Sequence, residues 1–186
     1  MDKRKVAAKK RYAAAHDELL TAGENLLNNE LLTELSLNSI ANISKISKTT
    51  IYEHFDSFNM FLVSVIGHVY EIMTVQYREK LQDEPKENIK TMFIDYREFL
   101  YKNSTLGKNI YAAFVLLSDT DQFPEIDLYE DLKIELNKLG FNNNEKNVFL
   151  KKFNFSIDDF RIDMANKNTT NIDLLIHDLT LYLENY

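Results

Sequence analysis

A chain of 186 residues is long enough for one or two domains with a sizeable core, and 4 Gly and 2 Pro leave few breaks in it. The absence of cysteine excludes disulfides, thiol nucleophiles and thiolate zinc sites, and it suits a reducing cytosol. The net charge of −7 is unevenly spread: residues 1–60 hold eight basic and eight acidic side chains, so residues 61–186 carry all of the excess.

Few segments alternate apolar and polar residues at period two, so the fold class reads as all-α. The N-terminal stretch MDKRKVAAKKRYAAAHDELL is basic but has no apolar core before a cleavage site, unlike a signal peptide. The longest uncharged stretch near the middle, Ser57 to Tyr70, is too short to span a bilayer. The expectation is a soluble cytoplasmic protein without a membrane partner.

The first helix is predicted from about Lys5 to Asn28. Leu19, Leu20, Leu26 and Leu27 give it an apolar side, and Asn28 and Asn29 can stop it because Asn tolerates the left-handed conformation. Lys3, Arg4, Lys5, Lys9, Lys10 and Arg11 face only Asp2 within the first sixteen residues. A positive end on an acidic protein favours a polyanion there, although a solvated helix end gives the same pattern.

Ser36 can cap a second helix that places Leu37, Ile40 and Ala41 on one face. The run breaks around Ser44–Ile46. Ser47 can then cap a third short helix with Ile51 and Phe55 inward. Two short helices joined by a tight turn describe a helix-turn-helix, whose second helix enters the DNA major groove. Lys48, Thr49, Thr50 and Tyr52 fall on or beside the outward side of that helix, and such side chains donate to phosphates and base edges. Ile40, Ala41, Ile46, Ile51 and Phe55 are core residues in any account.

Asp56 or Ser57 can cap a fourth helix over 57–82, about 39 Å long at 1.5 Å per residue. Phe58, Phe61, Leu62, Val65, Ile66, Val69 and Ile72 give its buried face, and Pro85 lies beyond its end. Five more helices are predicted over 87–101, 107–118, 124–139, 144–166 and 170–185, about nine in all. Gly107 and Gly140 are placed at connections and Pro124 in a first turn. In the last helix Ile172, Leu175, Ile176, Leu179 and Leu183 form one stripe and Leu174 and Leu181 lie off it, which asks for either one large core or a second subunit. The acidic residues Asp119, Asp121, Glu125, Asp127, Glu130, Asp131 and Glu135 read as solvated helix faces.

Ser36-Leu37-Asn38-Ser39-Ile40-Ala41 followed by Ile46-Ser47-Lys48-Thr49-Thr50-Ile51-Tyr52-Glu53-His54-Phe55 resembles the tetracycline-repressor (TetR) family of bacterial transcriptional regulators. The upstream Leu19-Leu20-Thr21-Ala22-Gly23 is similar to that family's first helix. The spacing runs without a gap from residue 36 to 55, and the match covers about a quarter of the chain. Three positions depart from the pattern. Leu31 stands where members usually carry Gly before helix two, Ser44-Lys45 where they carry Ala-Gly, and Phe58 where a phosphate-contacting Lys begins helix four. The basic N-terminus can compensate for the lost Lys by tracking phosphate or reaching into the minor groove.

The resemblance implies a helix-turn-helix domain over 1–56 and a helical ligand-binding and dimerisation domain over 57–186. It implies a homodimer through the last two helices, and a repressor released from double-stranded operator DNA by a small-molecule effector. The candidate DNA contacts are Lys3, Arg4, Lys5, Ser36, Ser47, Lys48, Thr49, Thr50, Tyr52 and His54. Tyr70, Tyr77, Phe93, Tyr96, Phe99, Tyr111 and Phe114 can line an apolar ligand pocket, or can be ordinary core. His16, His68 and His177 have no metal-site spacing, and no phosphate loop or catalytic triad is visible. The reading therefore has no enzyme activity, no metal and no cofactor. The alternative is a helical ligand-binding or interaction protein with a degenerate DNA-binding unit.

Overall fold

A computed structural model describes residues 3–117, 128–153 and 172–184. Among them every regular element is helical. The helices are α1 (Lys3–Asn29), α2 (Leu37–Ser44), α3 (Lys48–His54), α4 (Phe58–Arg78), α5 (Pro85–Lys102), α6 (Ser104–Leu117), α7 (Leu128–Lys138), α8 (described over 143–153) and α9 (Ile172–Glu184), with a 3-10 turn at Leu32–Glu34. The chain forms two compact units. One comprises Met1–Val69 with Ala112–Pro124, the other Tyr70–Tyr111 with Glu125–Tyr186. The first unit thus extends past residue 56 into the first half of α4.

In the first unit α1 packs against α2, and α2 against α3. The core collects Leu19, Leu26 and Leu27 from α1, Ile40 from α2, Ile51 from α3, and Phe61, Leu62, Val65 and Ile66 from α4, each at most 1 % exposed. The distance between α1 and α4 is set at Gly23. A Cβ there would meet Val65 Cγ2 at 2.4 Å and Phe61 Cζ at 2.8 Å, closer than side chains approach one another. Glycine costs a helix interior up to about 1 kcal/mol relative to alanine, and here that cost admits the α4 side chains.

In the second unit two acidic residues of α7, Asp131 and Glu135, turn inward. Asp131 accepts from the buried Tyr77 hydroxyl, from Arg78 Nε at 2.7 Å and from Arg78 Nη2 at 3.0 Å. Burial, and next the bond to Asp131, push the Tyr77 hydroxyl far above the usual tyrosine range. Glu135, 3 % exposed, accepts from Asn88 Nδ2 at 3.0 Å and from Lys138 Nζ at 2.7 Å. Asp131 and Glu135 are therefore not the solvated residues their acidic surroundings suggest. Their partners on α4 and α5 lie about fifty residues away in sequence, beyond the reach of local pattern. Asp119, Asp121, Glu125 and Asp127, with Pro124, lie outside the described residues.

Several boundaries differ from the periodicity. Helix α4 ends at Arg78 rather than 82: the Lys80 and Leu81 amides tighten onto the Tyr77 and Arg78 carbonyls. Asn88 then holds both backbone groups of Gln82, and Lys80 reaches Asp95 at 2.7 Å. Pro85 opens α5, where its missing N–H costs nothing. Gly107 lies inside α6 instead of at a connection. Gly140 does end a helix: at φ 82° it lets the Phe141 amide reach back to the Leu136 carbonyl at 3.0 Å. α1 stops at Asn29 without a left-handed residue, since Lys45 is the non-glycine with positive φ among the described residues.

Among the described residues α4 is long and apolar enough to cross a membrane by length and composition. Phe61, Leu62, Val65, Ile66, Val69, Tyr70, Met73 and Tyr77 are instead buried within the protein, which accounts for its hydropathy.

Two stability measurements test this packing. Gly23→Ala should destabilise the chain by about 1–3 kcal/mol in urea melts despite its better helix propensity, and Val65→Ala in the same chain should recover part of the loss. Asp131→Ala should cost about 2–4 kcal/mol by the same measurement, because it leaves the buried Tyr77 hydroxyl without its acceptor.

Candidate nucleic-acid interface

Three serines start the helices around the candidate site. Ser36, extended at φ −149°, accepts from the Ser39 amide at 3.2 Å while its own amide donates to Ser39 Oγ at 2.9 Å, a reciprocal capping box. Ser47 accepts from the Thr50 amide at 3.2 Å and lies 3.1 Å from Thr50 Oγ1. Ser57 accepts from the Met60 amide at 3.1 Å. Each cap satisfies an N–H that the helix leaves free.

The turn between α2 and α3 is built from polar groups. Buried Ser44 donates to the Ile40 carbonyl at 2.8 Å and accepts from the Ile46 amide at 3.2 Å. Lys45 takes the left-handed conformation at φ 59°, ψ 16°, the geometry for which the family pattern has glycine. A side chain there costs roughly 1–2 kcal/mol, offset in part as Lys45 Nζ donates to the Asn42 carbonyl at 2.7 Å. The departure leaves the turn formed.

α3 buries Ile51 and the following Phe55 and leaves Lys48, Thr49, Tyr52 and Glu53 exposed, with Tyr52 54 % exposed. Its first turn carries no acidic residue. Lys48, Thr49 and Tyr52 thus share the accessible side of one short helix. Thr50 is half-buried and turned to Ser47. Ser36 and Ser47 are exposed, but their hydroxyls serve as caps. Lys3, Arg4 and Lys5 lie on the exposed first turn of α1. Phe58, in place of the expected lysine, is half-buried and stacks on Phe61 at 6.3 Å.

His54 sits at the other end of α3. Its ring stacks on Tyr12 at 4.0 Å and lies 5.5 Å from His16, which stacks on Phe55 at 5.0 Å. Both histidines leave a buried Nδ1 without a hydrogen-bond partner among the described residues. Burial first, and the charge of His16 second, hold the His54 pKa below its ordinary value, against a smaller opposite pull from Glu53. His54 is therefore neutral at neutral pH and brings no cation to a phosphate. Tyr12, half-exposed, also donates to the Glu53 carbonyl at 3.4 Å. It was not among the sequence candidates, although its spacing from His16 and Leu19 continues the packed stripe of α1. Outward Glu53 was likewise missed; on a recognition helix an acid repels phosphate and can accept from cytosine.

The aromatic candidates for a ligand pocket do not form one group. Tyr70, Tyr77, Phe93 and Tyr96 are buried in the second unit, and Phe99 and Tyr111 are half-buried there. Half-buried Phe114 belongs to the first unit. Phe93 stacks on Phe153 at 4.9 Å and Phe149 at 6.1 Å, and the Tyr77 hydroxyl is taken by Asp131. An open groove of about 390 Å³ between α7 and α8 is lined by residues such as Lys133, Ile134, Asn137 and Lys146, and by none of these aromatics. In α9, Leu183 is buried and Leu181 is 42 % exposed, so apolar residues do occur on two sides of that helix.

No protein-family model matches the chain, and no curated protein matches it. Solved structures do. A TetR transcriptional regulator from Rhodococcus sp. RHA1 superposes with a TM-score of 0.70 at 13% identity, covering 92% of this chain and 93% of that one. A protein described as a fatty acid metabolism regulator from Clostridium perfringens superposes with a TM-score of 0.56 at 19% identity, covering 88% and 95%. The chain has a TetR-like fold. In this chain the serine caps and the left-handed Lys45 build the α2–turn–α3 pair.

The depressed His54 pKa sets a pH dependence. The unfolded chain binds more protons than the folded one as the pH falls below the ordinary histidine value, so acidification removes stability. Between about pH 7 and about pH 5 the wild-type chain should lose more stability in urea melts than His54→Phe, whose ring can still stack but cannot titrate. Equal losses in the two chains would contradict this account.

Proposed function

We propose that this protein is a DNA-binding transcriptional regulator in which α3 enters the major groove of duplex DNA. One observation carries the reading: a doubly capped pair of short helices leaves Lys48, Thr49 and Tyr52 together on the accessible side of the second helix. The shared fold supports it, since one similar structure is described as a TetR transcriptional regulator and the other as a fatty acid metabolism regulator. Exposed Lys5, and to a smaller extent Lys3 and Arg4, supply phosphate contacts, and the Ser36 and Ser47 caps hold helix N-termini whose N–H groups favour phosphate. The location is the cytoplasm, where DNA is reached.

The finer reading is a repressor. Two copies joined through the last two helices place their recognition helices about one DNA turn apart, roughly 34–36 Å. A small apolar effector bound in the helical C-terminal part changes that separation, so both half-sites can no longer be engaged together and affinity falls. Nothing in this scheme requires bond chemistry, a metal or a cofactor.

The test begins with selection from a random duplex pool. The enriched duplex should bind more tightly than a scrambled one, and Lys48→Ala and Tyr52→Ala should each weaken binding by about 1–3 kcal/mol, or roughly 5- to 150-fold. Variants that bind as the parent does would refute the placement of α3.

A further inference from the structure

The basic N-terminus is a helix, and this limits how it meets a polyanion. α1 begins at Lys3, while its first buried residue is Leu19. From Lys3 to Ala14 every residue except half-buried Val6 is exposed. An extended arm could enter the minor groove of duplex DNA, but that groove is about 6 Å wide and a helix with side chains is about 10–12 Å across. The helical segment cannot enter that groove as an extended arm would, and its lysines are of the kind that meet phosphates.

The direction it faces follows from spacing. Lys5, Lys9, Tyr12, His16, Leu19, Gly23 and Leu26 succeed one another at intervals of four and three, one continuous stripe of a helix. At Leu26, Gly23 and Leu19 the stripe is core, with Gly23 against α4. At His16 and Tyr12 it meets the end of α3, where Tyr12 stacks on His54. Beyond Tyr12 the same stripe continues as two exposed lysines, with no ion pair among the described residues. Lys9 and Lys5 thus continue, exposed, the side of α1 that meets the end of α3. Lys3 and Lys10, seven residues apart, lie on the opposite side of the helix.

We infer that Lys5 and Lys9 form a phosphate clamp beside α3, gripping the duplex backbone next to the segment that α3 reads. This rests on the DNA-binding reading given above. The sequence is otherwise unfavourable as a free helix: its first turn has cations against the positive dipole end and no acid, and Lys5 and Lys9 repel each other one turn apart. Phosphates relieve both. An anionic membrane surface fits less well, because the segment has no broad apolar face to bury: its uncharged residues up to Ala15 are Val6, Tyr12 and five alanines.

The experiment uses the full chain and a random-sequence duplex of about 30 base pairs, with affinity measured across a series of salt concentrations. Lys5→Gln/Lys9→Gln should lower the slope of log affinity against log salt by about 1.8 per bound chain, and Lys3→Gln/Lys10→Gln, which removes the same charge, should lower it much less. The Lys5/Lys9 variant should keep its preference for a selected duplex over a scrambled one. An unchanged slope, or equal losses from the two pairs, overturns the clamp and leaves the reading of α3 intact. Absence of salt-dependent duplex binding by the parent chain overturns both. Binding of the parent to anionic vesicles that is lost in the Lys5/Lys9 variant, with duplex slopes unchanged, reassigns the stripe to lipid.

Discussion

The first unit is organised by the approach of α1 to α4 at Gly23. With no side chain at that position, Val65 and Phe61 seat directly on α1. Phe61 then meets Phe55 edge-on at 5.2 Å, and Phe55 is the residue that ends α3. The orientation of a seven-residue helix thus depends on longer helices, through this contact and the His16–Phe55 and Tyr12–His54 stacks. A helix that short has little stability of its own and depends on such neighbours.

The polar residues divide into those that build the unit and those left to act outside it. Ser36, Ser44, Ser47 and Ser57 all have hydroxyls committed to backbone groups. Lys48, Thr49 and Tyr52 are not committed in that way and stand exposed. The second unit applies the same economy to charge. Asp131 and Glu135 are buried, yet each is met by donors from other elements, so neither is an unpaired ion in an apolar interior.

What could be read from the sequence follows from range. Helix starts at 37, 48 and 58 were legible because a serine cap acts within three residues. The turn at Lys45 stood out only through the resemblance, because the family pattern carries Gly there, the residue suited to the left-handed conformation that Lys45 adopts. The inward faces of α3 and α4 followed from intervals of three and four. The early end of α4 and the burial of Asp131 were not legible, because each depends on partners outside the helix concerned: Asn88 and Asp95 in the first case, Tyr77 and Arg78 in the second. Gly107 reads as a break, yet its amide makes an ordinary helical bond to the Asn103 carbonyl. For the site, Lys48, Thr49 and Tyr52 were visible as donor types at the right spacing. Tyr12 and Glu53 were missed, since only the folded geometry brings α1 alongside the end of α3. His54 was named for its place in a motif, and the structure puts its ring in a stack.

That stack also makes the unit observable. The chain has no tryptophan, so Tyr12→Trp would introduce a sole indole between the N-terminal helix and the end of α3. Its emission would follow whether that junction stays closed during titrations, without any label added from outside.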